Sequence, residues 1–212
     1  MSQYKLAAMG ILAVVLLAAP ANAGILENLQ VKVGVSGVLP HESAKISTIG
    51  GDVRISDEVV PSLQLEYFFT DRISAELLCC IARHEVVAVG TALGRVDLGK
   101  VTHFPPTVTV KYRWTELGAL QPYVGAGVNY THFFDDKTPK SGPVTGISYG
   151  DSLGPALQAG ADLRLDDHWA LNFDVRKIWI HSNVKVSAGA TRLKADVDID
   201  PWVISSGVAY RF

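Results

Sequence analysis

From Leu29 onward the chain alternates apolar and polar side chains almost one for one. Leu29, Val31, Val33 and Val35 are interleaved with Gln30, Lys32, Gly34 and Ser36. The same period of two returns over Ser62 to Tyr67, from Ile73 to Ala82, from Thr107 to Trp114, from Val124 to Thr131, from Leu153 to Leu163, from Leu171 to Arg176 and from Trp202 to Phe212. A period of two marks β-strands with one apolar face, and the pattern predicts eight of them. The connections between them come in two sizes. Short ones follow the second, fourth and sixth strands, at Thr70 to Arg72, Thr115 to Leu120 and Asp166 to His168. Long ones follow the first, third, fifth and seventh, at Leu39 to about Val59, Glu85 to about Phe104, Phe134 to about Tyr149 and about Ser182 to Asp198. Strict alternation puts all the long connections at one end. That is the pattern of an all-β, eight-stranded antiparallel transmembrane up-and-down β-barrel.

A soluble eight-stranded barrel would turn its apolar face inward and its charges outward. The aromatics argue for the opposite orientation. On the apolar face Tyr67, Trp114, Trp169, Tyr210 and Phe212 gather at the short-turn end, and Tyr130, Trp179 and Trp202 at the long-loop end. Two aromatic belts around an aliphatic band suit a lipid-facing surface. Ten residue steps separate Trp202 from Phe212. At the rise and tilt of a barrel strand they span roughly 25 Å, the height of such a band.

Composition narrows the class. The 212 residues are 48% hydrophobic and 19% charged, with 19 Lys and Arg against 21 Asp and Glu. There is no basic excess to neutralise phosphates, so no nucleic-acid partner is expected. The adjacent Cys79 and Cys80 do not make a disulfide scaffold. Six scattered histidines show no ligand spacing, so neither a metal nor a cofactor is expected. At the start, Lys5, an apolar run from Leu6 to Ala19 and the small residues Ala21 and Ala23 form the layout of a secretory signal peptide. The run of about 14 residues is short for a spanning helix, which needs roughly 20. The division expected is a signal peptide over 1–23 and an outer-membrane β-barrel over 24–212. The last strand ends in Tyr210 and Phe212, and a terminal aromatic on an alternating strand resembles the signal read by the barrel-assembly machinery.

The inward positions predict two zones. Toward the short turns lie Lys32, Lys111, Arg113, Arg164, Arg176 and Arg211 with Glu66, Glu76, Asp162 and Asp174, six cations against four anions that would form a charge plug. Toward the long loops lie Leu78, Phe133, Ile178, Ile180 and Val203, with small neighbours such as Cys80 and Ala156, a candidate apolar ligand pocket. Eight strands leave no wide pore, and displacing paired ions costs several kcal/mol each. A ligand entering from outside would therefore leave sideways into lipid, through a weak point in the wall. Pro61 and Pro155 each remove a ladder donor and are the lateral exit candidates.

Several stretches are similar to a known family: Phe104-Pro105-Pro106-Thr107, Gln121 to Thr131, Phe133-Phe134-Asp135, and Asp200-Pro201-Trp202 with Gly207 to Phe212. Together they resemble the OmpW family of small outer-membrane proteins, which includes the alkane-import protein AlkL. The resemblance implies a barrel in the bacterial outer membrane that passes small hydrophobic molecules. Its expected partners are outer-membrane lipid, lipopolysaccharide, a small apolar solute and the assembly machinery. The alternative is a non-transporting barrel acting as a structural or surface-interaction protein. His181-Ser182-Asn183 is similar to the His and Ser of lipid A deacylases, but neighbours on a strand face opposite sides and cannot meet, so no enzyme activity is expected.

Overall fold

The computed structural model describes residues 26–46, 50–92, 94–138, 144–189 and 191–212. The expected cleavage point after Ala23 lies outside them. Fifteen strands run in chain order among the described residues: β1 (Leu29–Leu39), β2 (Ser43–Ile46), β3 (Asp52–Ile55), β4 (Glu58–Phe68), β5 (Ile73–Cys80), β6 (Ala82–Thr91), β7 (Gly94–Phe104), β8 (Thr107–Arg113), β9 (Leu120–Lys137), β10 (Gly146–Tyr149), β11 (Ser152–Arg164), β12 (Trp169–Ile178), β13 (His181–Ala188), β14 (Thr191–Asp198) and β15 (Trp202–Arg211).

Eight of these, β1, β4, β5, β8, β9, β11, β12 and β15, pair antiparallel in a ring, and the β9–β11 pairing closes it. They coincide with the eight predicted strands. The register keeps side-chain parity around the wall: Val33 faces Val208 on one side and Leu63 on the other. A slip of one residue would turn the aliphatic face inward. The outer face is apolar and open, with Val33, Val110, Val128, Leu157 and Phe173 all more than half exposed. Soluble monomers rarely carry a continuous apolar surface of this kind, and a bilayer covers it. Rings crowd the short-turn end, where Tyr210 packs edge-on against Trp169 at 4.8 Å and Phe212 at 5.1 Å.

The long connections are not loops for most of their length. β6 pairs with β7 and β3 pairs with β6, extending one side of the wall past the outer aromatics, while β10, β13, β14 and β2 form a second four-stranded sheet opposite it. Alternation continues through these segments, as in Val184 and Val186 against Asn183 and Lys185. Pairing them satisfies backbone groups and buries one apolar face.

Candidate functional site

The bore divides into three levels. The lowest is a closed ionic cluster. Glu66 on β4 and Glu76 on β5 stand side by side, and the ammonium groups of Lys32 on β1 and Lys111 on β8 each bridge both carboxylates at 2.7–2.9 Å. Arg113 joins Glu66 to Asp162. Arg176 joins Glu76 to Asp174, with Nε 3.0 Å from Asp174 Oδ1. These eight groups, four of each sign, are almost completely buried. Neutral side chains complete the cluster. Gln158 donates to Glu76 at 2.8 Å and to Asp174 at 2.6 Å, Asn172 to Asp162 at 2.6 Å, and Ser74 to Glu66 at 2.6 Å.

Tyr123 crosses the middle. Its hydroxyl donates to Asp174 at 2.9 Å and Lys111 Nζ sits 3.6 Å from its ring centroid. Sequence reasoning missed it because it carries no charge, although it shares the inward parity of Gly125 and Asn129. The ring needs the space that Gly160, its cross-strand partner, leaves: a Cβ there would lie 2.6 Å from the Tyr123 oxygen.

Two expected members of the plug are absent from it. Arg164 pairs with Asp167 at the exposed short-turn rim, and Arg211 lies over the Phe68 ring at 4.2 Å and reaches Asp71 at 3.7 Å. Both end their strands at the short-turn rim and extend toward water, whereas Arg113, also the last residue of its strand, turns inward onto Glu66 and Asp162. The expected six-to-four excess of cations becomes an even balance in the buried cluster.

Above the cluster the bore holds apolar side chains beside a few neutral polar ones, Ser36 with Ser205 at 2.7 Å and Asn129 with Thr107 at 2.9 Å. Leu78, Ile178, Ile180 and Val203 are buried within one continuous core with Phe133. The open cavity lies higher than sequence reasoning placed it. It holds about 80 Å³ between the two sheets of the extension, lined by residues such as Val53, Val86, Leu98, Val101, Val184 and Ile199, with Phe133 at its edge. Of the five pocket residues expected, only Phe133 lines it; the other four pack beneath. The cavity's other wall residues sit in the long connections, where continued alternation of apolar and polar side chains is the sequence signal for them.

The third feature is a fault in the wall. β5 pairs with β8 up to Leu78 and Thr107, and the same register resumes in β6 and β7 at Ala82 and His103. The residues between, Cys79 to Ile81 and Phe104 to Pro106, are unpaired across that seam. Two prolines remove donors there. The Pro105 carbonyl accepts from the Asn129 amide at 3.1 Å inside the bore. On the other flank, β4 and β5 pair only up to Ser62 and Cys80, and pairing to the same side resumes between β3 and β6 at Ile55 and Val86. Pro61 stands at the edge of that second gap. Pro155 has a continuous β9 register through Val128; on its other flank the β11–β12 ladder stops at Ala156 and Ile178, but that seam is bridged, because the Pro155 carbonyl accepts from the Trp179 amide at 3.1 Å and Gly154 packs so close to Trp179 that a Cβ would lie 2.0 Å from the Trp179 carbonyl oxygen.

A closed eight-stranded barrel with an apolar belt, an ion-sealed bore and an apolar extension on the long-connection side is a small integral protein of the bacterial outer membrane. The chain belongs to the OmpW family, whose model matches residues 26–212. It is 40% identical over 199 residues, 92% of this chain and 85% of the relative, to the uncharacterized outer-membrane protein y4mB of Sinorhizobium fredii. It is 27% identical, over 85% of this chain and 87% of the relative, to the dibenzothiophene metabolism operon protein PahQ of Pseudomonas aeruginosa. Among solved structures it resembles the outer membrane protein OprG of Pseudomonas aeruginosa, with a TM-score of 0.80 and 30% identity over 87% of this chain and 95% of that one.

Proposed function

We propose that the protein passes small hydrophobic molecules from outside into the outer membrane, with entry at the extension cavity and exit sideways at the fault around Ile81. The observation that carries this reading is the stacking of an apolar cavity on a bore sealed by buried ion pairs. Each methylene that enters the cavity gains about 0.8 kcal/mol, whereas the route straight down meets the ionic cluster. The fault offers a shorter way out, because Cys79 to Ile81 lack partners toward β8 and Ile81 lacks a ladder partner on either flank. A relative named for a dibenzothiophene metabolism operon fits an apolar cargo. The barrel acts on this reading without catalysis: His181 is exposed and bonded to Asp198 at 2.6 Å, while the buried Ser182 hydroxyl donates to the Gly150 carbonyl, so the two do not form a nucleophile–base pair. Tyr210 and Phe212 would serve as the signal for the assembly machinery, and lipopolysaccharide would border the outer belt.

Uptake of a labelled apolar solute by cells lacking other such channels tests the route. The double variant Pro105→Ala/Pro106→Ala restores two ladder donors and is expected to cut uptake several-fold with the barrel intact. Pro61→Ala is expected to have a smaller effect and Pro155→Ala none. Equal uptake by all of them would remove the lateral exit. Uptake no higher than in cells without the protein would favour a non-transporting surface barrel.

A further inference from the structure

Two buried histidines stand between the cavity and the fault, and their hydrogen bonds fix the proton on each ring nitrogen. His84 on β6 has Nδ1 2.6 Å from the Ser56 carbonyl oxygen. A carbonyl only accepts, so His84 Nδ1 carries the proton. In the neutral ring, His84 Nε2 is then a bare acceptor. It lies 3.1 Å from His103 Nε2, which must therefore donate. That leaves His103 Nδ1 as a lone pair. It is buried and meets no donor among the described residues. A buried acceptor without a donor is costly, and few native structures keep one without a use.

The surroundings say what could supply the donor. The His103 ring stacks on Phe133 at 5.8 Å, and Phe133 stacks on Tyr149 at 5.6 Å; both partners line the cavity. Val101, two residues away on the same face of β7, also lines it. On its other side His103 is followed by Phe104, the first residue of the unpaired seam. A solute moving from cavity to fault passes this stack. Resting on the proposed conduit, we infer that its cargo is an apolar body bearing a hydroxyl, such as a long-chain alcohol or a phenol, whose O–H is accepted by His103 Nδ1. An alkane leaves the lone pair empty. An ester or ketone brings only another acceptor, and a carboxylate brings a negative charge to it. Burial, and then the neighbouring His84, hold the His103 pKa down to about 3, and burial lowers that of His84, so the acceptor persists at ordinary external pH.

The test compares uptake of decane and 1-decanol by cells carrying the full-length protein, each corrected for cells without it. Wild type is expected to favour 1-decanol about tenfold, the worth of one buried hydrogen bond. His103→Phe keeps the stack on Phe133 and loses the acceptor. It is expected to bring the ratio near one with decane uptake unchanged. A wild-type ratio near one, or a ratio unmoved by His103→Phe, would overturn the inference while leaving the conduit standing. No uptake of either solute would overturn the conduit itself and the inference with it. Histidine nitrogen NMR on the unaltered protein gives a second reading that no folding defect can confound. The His103 Nδ1 signal should start as unprotonated and shift on adding 1-decanol but not decane; a protonated Nδ1, or no shift with either, counts against the assignment.

Discussion

Glu76 accepts contacts from four side chains at once, Lys32, Lys111, Arg176 and Gln158. Buried ion pairs of this kind add little net stability over apolar packing, but removing one partner strands the others in a dry bore. Glu76→Ala is expected to lower the unfolding free energy in lipid vesicles by about 3–5 kcal/mol. Pairing it with Lys111→Met, which restores the charge balance, should recover much of the loss. A single variant as stable as wild type in a urea titration would contradict this account of the cluster. Parity along the strands was enough to list the charged members. It did not tell which of them close the cluster and which reach water, because Arg113 ends its strand as Arg164 and Arg211 do, and only the carboxylates of Glu66 and Asp162 within its reach draw it inward.

At the scale of elements, the β6–β7 hairpin is tied to the segment before β4 through His84 and Ser56 and to β9 through His103 and Phe133. Both histidines are neutral in the closed structure. Burial is the leading cause, opposed at His84 by its hydrogen bond to the Ser56 carbonyl and then by the nearby Glu58 and Asp57. An opened hairpin exposes histidines with a pKa of about 6.5. The closed form therefore keeps its full advantage above about pH 6.5 and loses it as pH falls from there toward about 3, where His103 itself titrates. At pH 5 the loss for His103 alone is about 2 kcal/mol. Amide exchange in β6 and β7 should speed up from pH 7 to pH 5, after correction for intrinsic rates, relative to β12 and β15. The double variant His84→Phe/His103→Phe should remove that difference. The two histidines are 19 positions apart, and nothing in their spacing announces a pair. Only the hairpin register brings them face to face.

For the whole molecule, the outward aliphatic belt implies a lipid surround. Val110 lies midway along β8, opposite Ala75 and Ala126, and is exposed on the outer face. Val110→Arg is expected to cost about 2–4 kcal/mol of folding into bilayers, read as a lower yield of folded barrel in vesicles. The same substitution would be nearly neutral if this face met water. The even balance of the ionic cluster and the packed bore above it also predict no steady ion conductance in planar bilayers. Stable open channels in wild type would contradict the sealed bore.

Strand number, the face each residue takes, the end that carries the long connections and the outer-membrane setting all followed from alternation and aromatic placement. Those features rest on local chemistry: a side chain on a strand must point to one face or the other, and lipid accepts only the apolar one. The height of the cavity, the eight groups that meet in the cluster, the crossing ring of Tyr123, the break in pairing beside Ile81, and the His84–His103 pair came from the closed fold alone. Each depends on which strands lie side by side and where their ladders stop. That is decided by register around the barrel, through contacts between residues far apart in the chain, and no single segment records it.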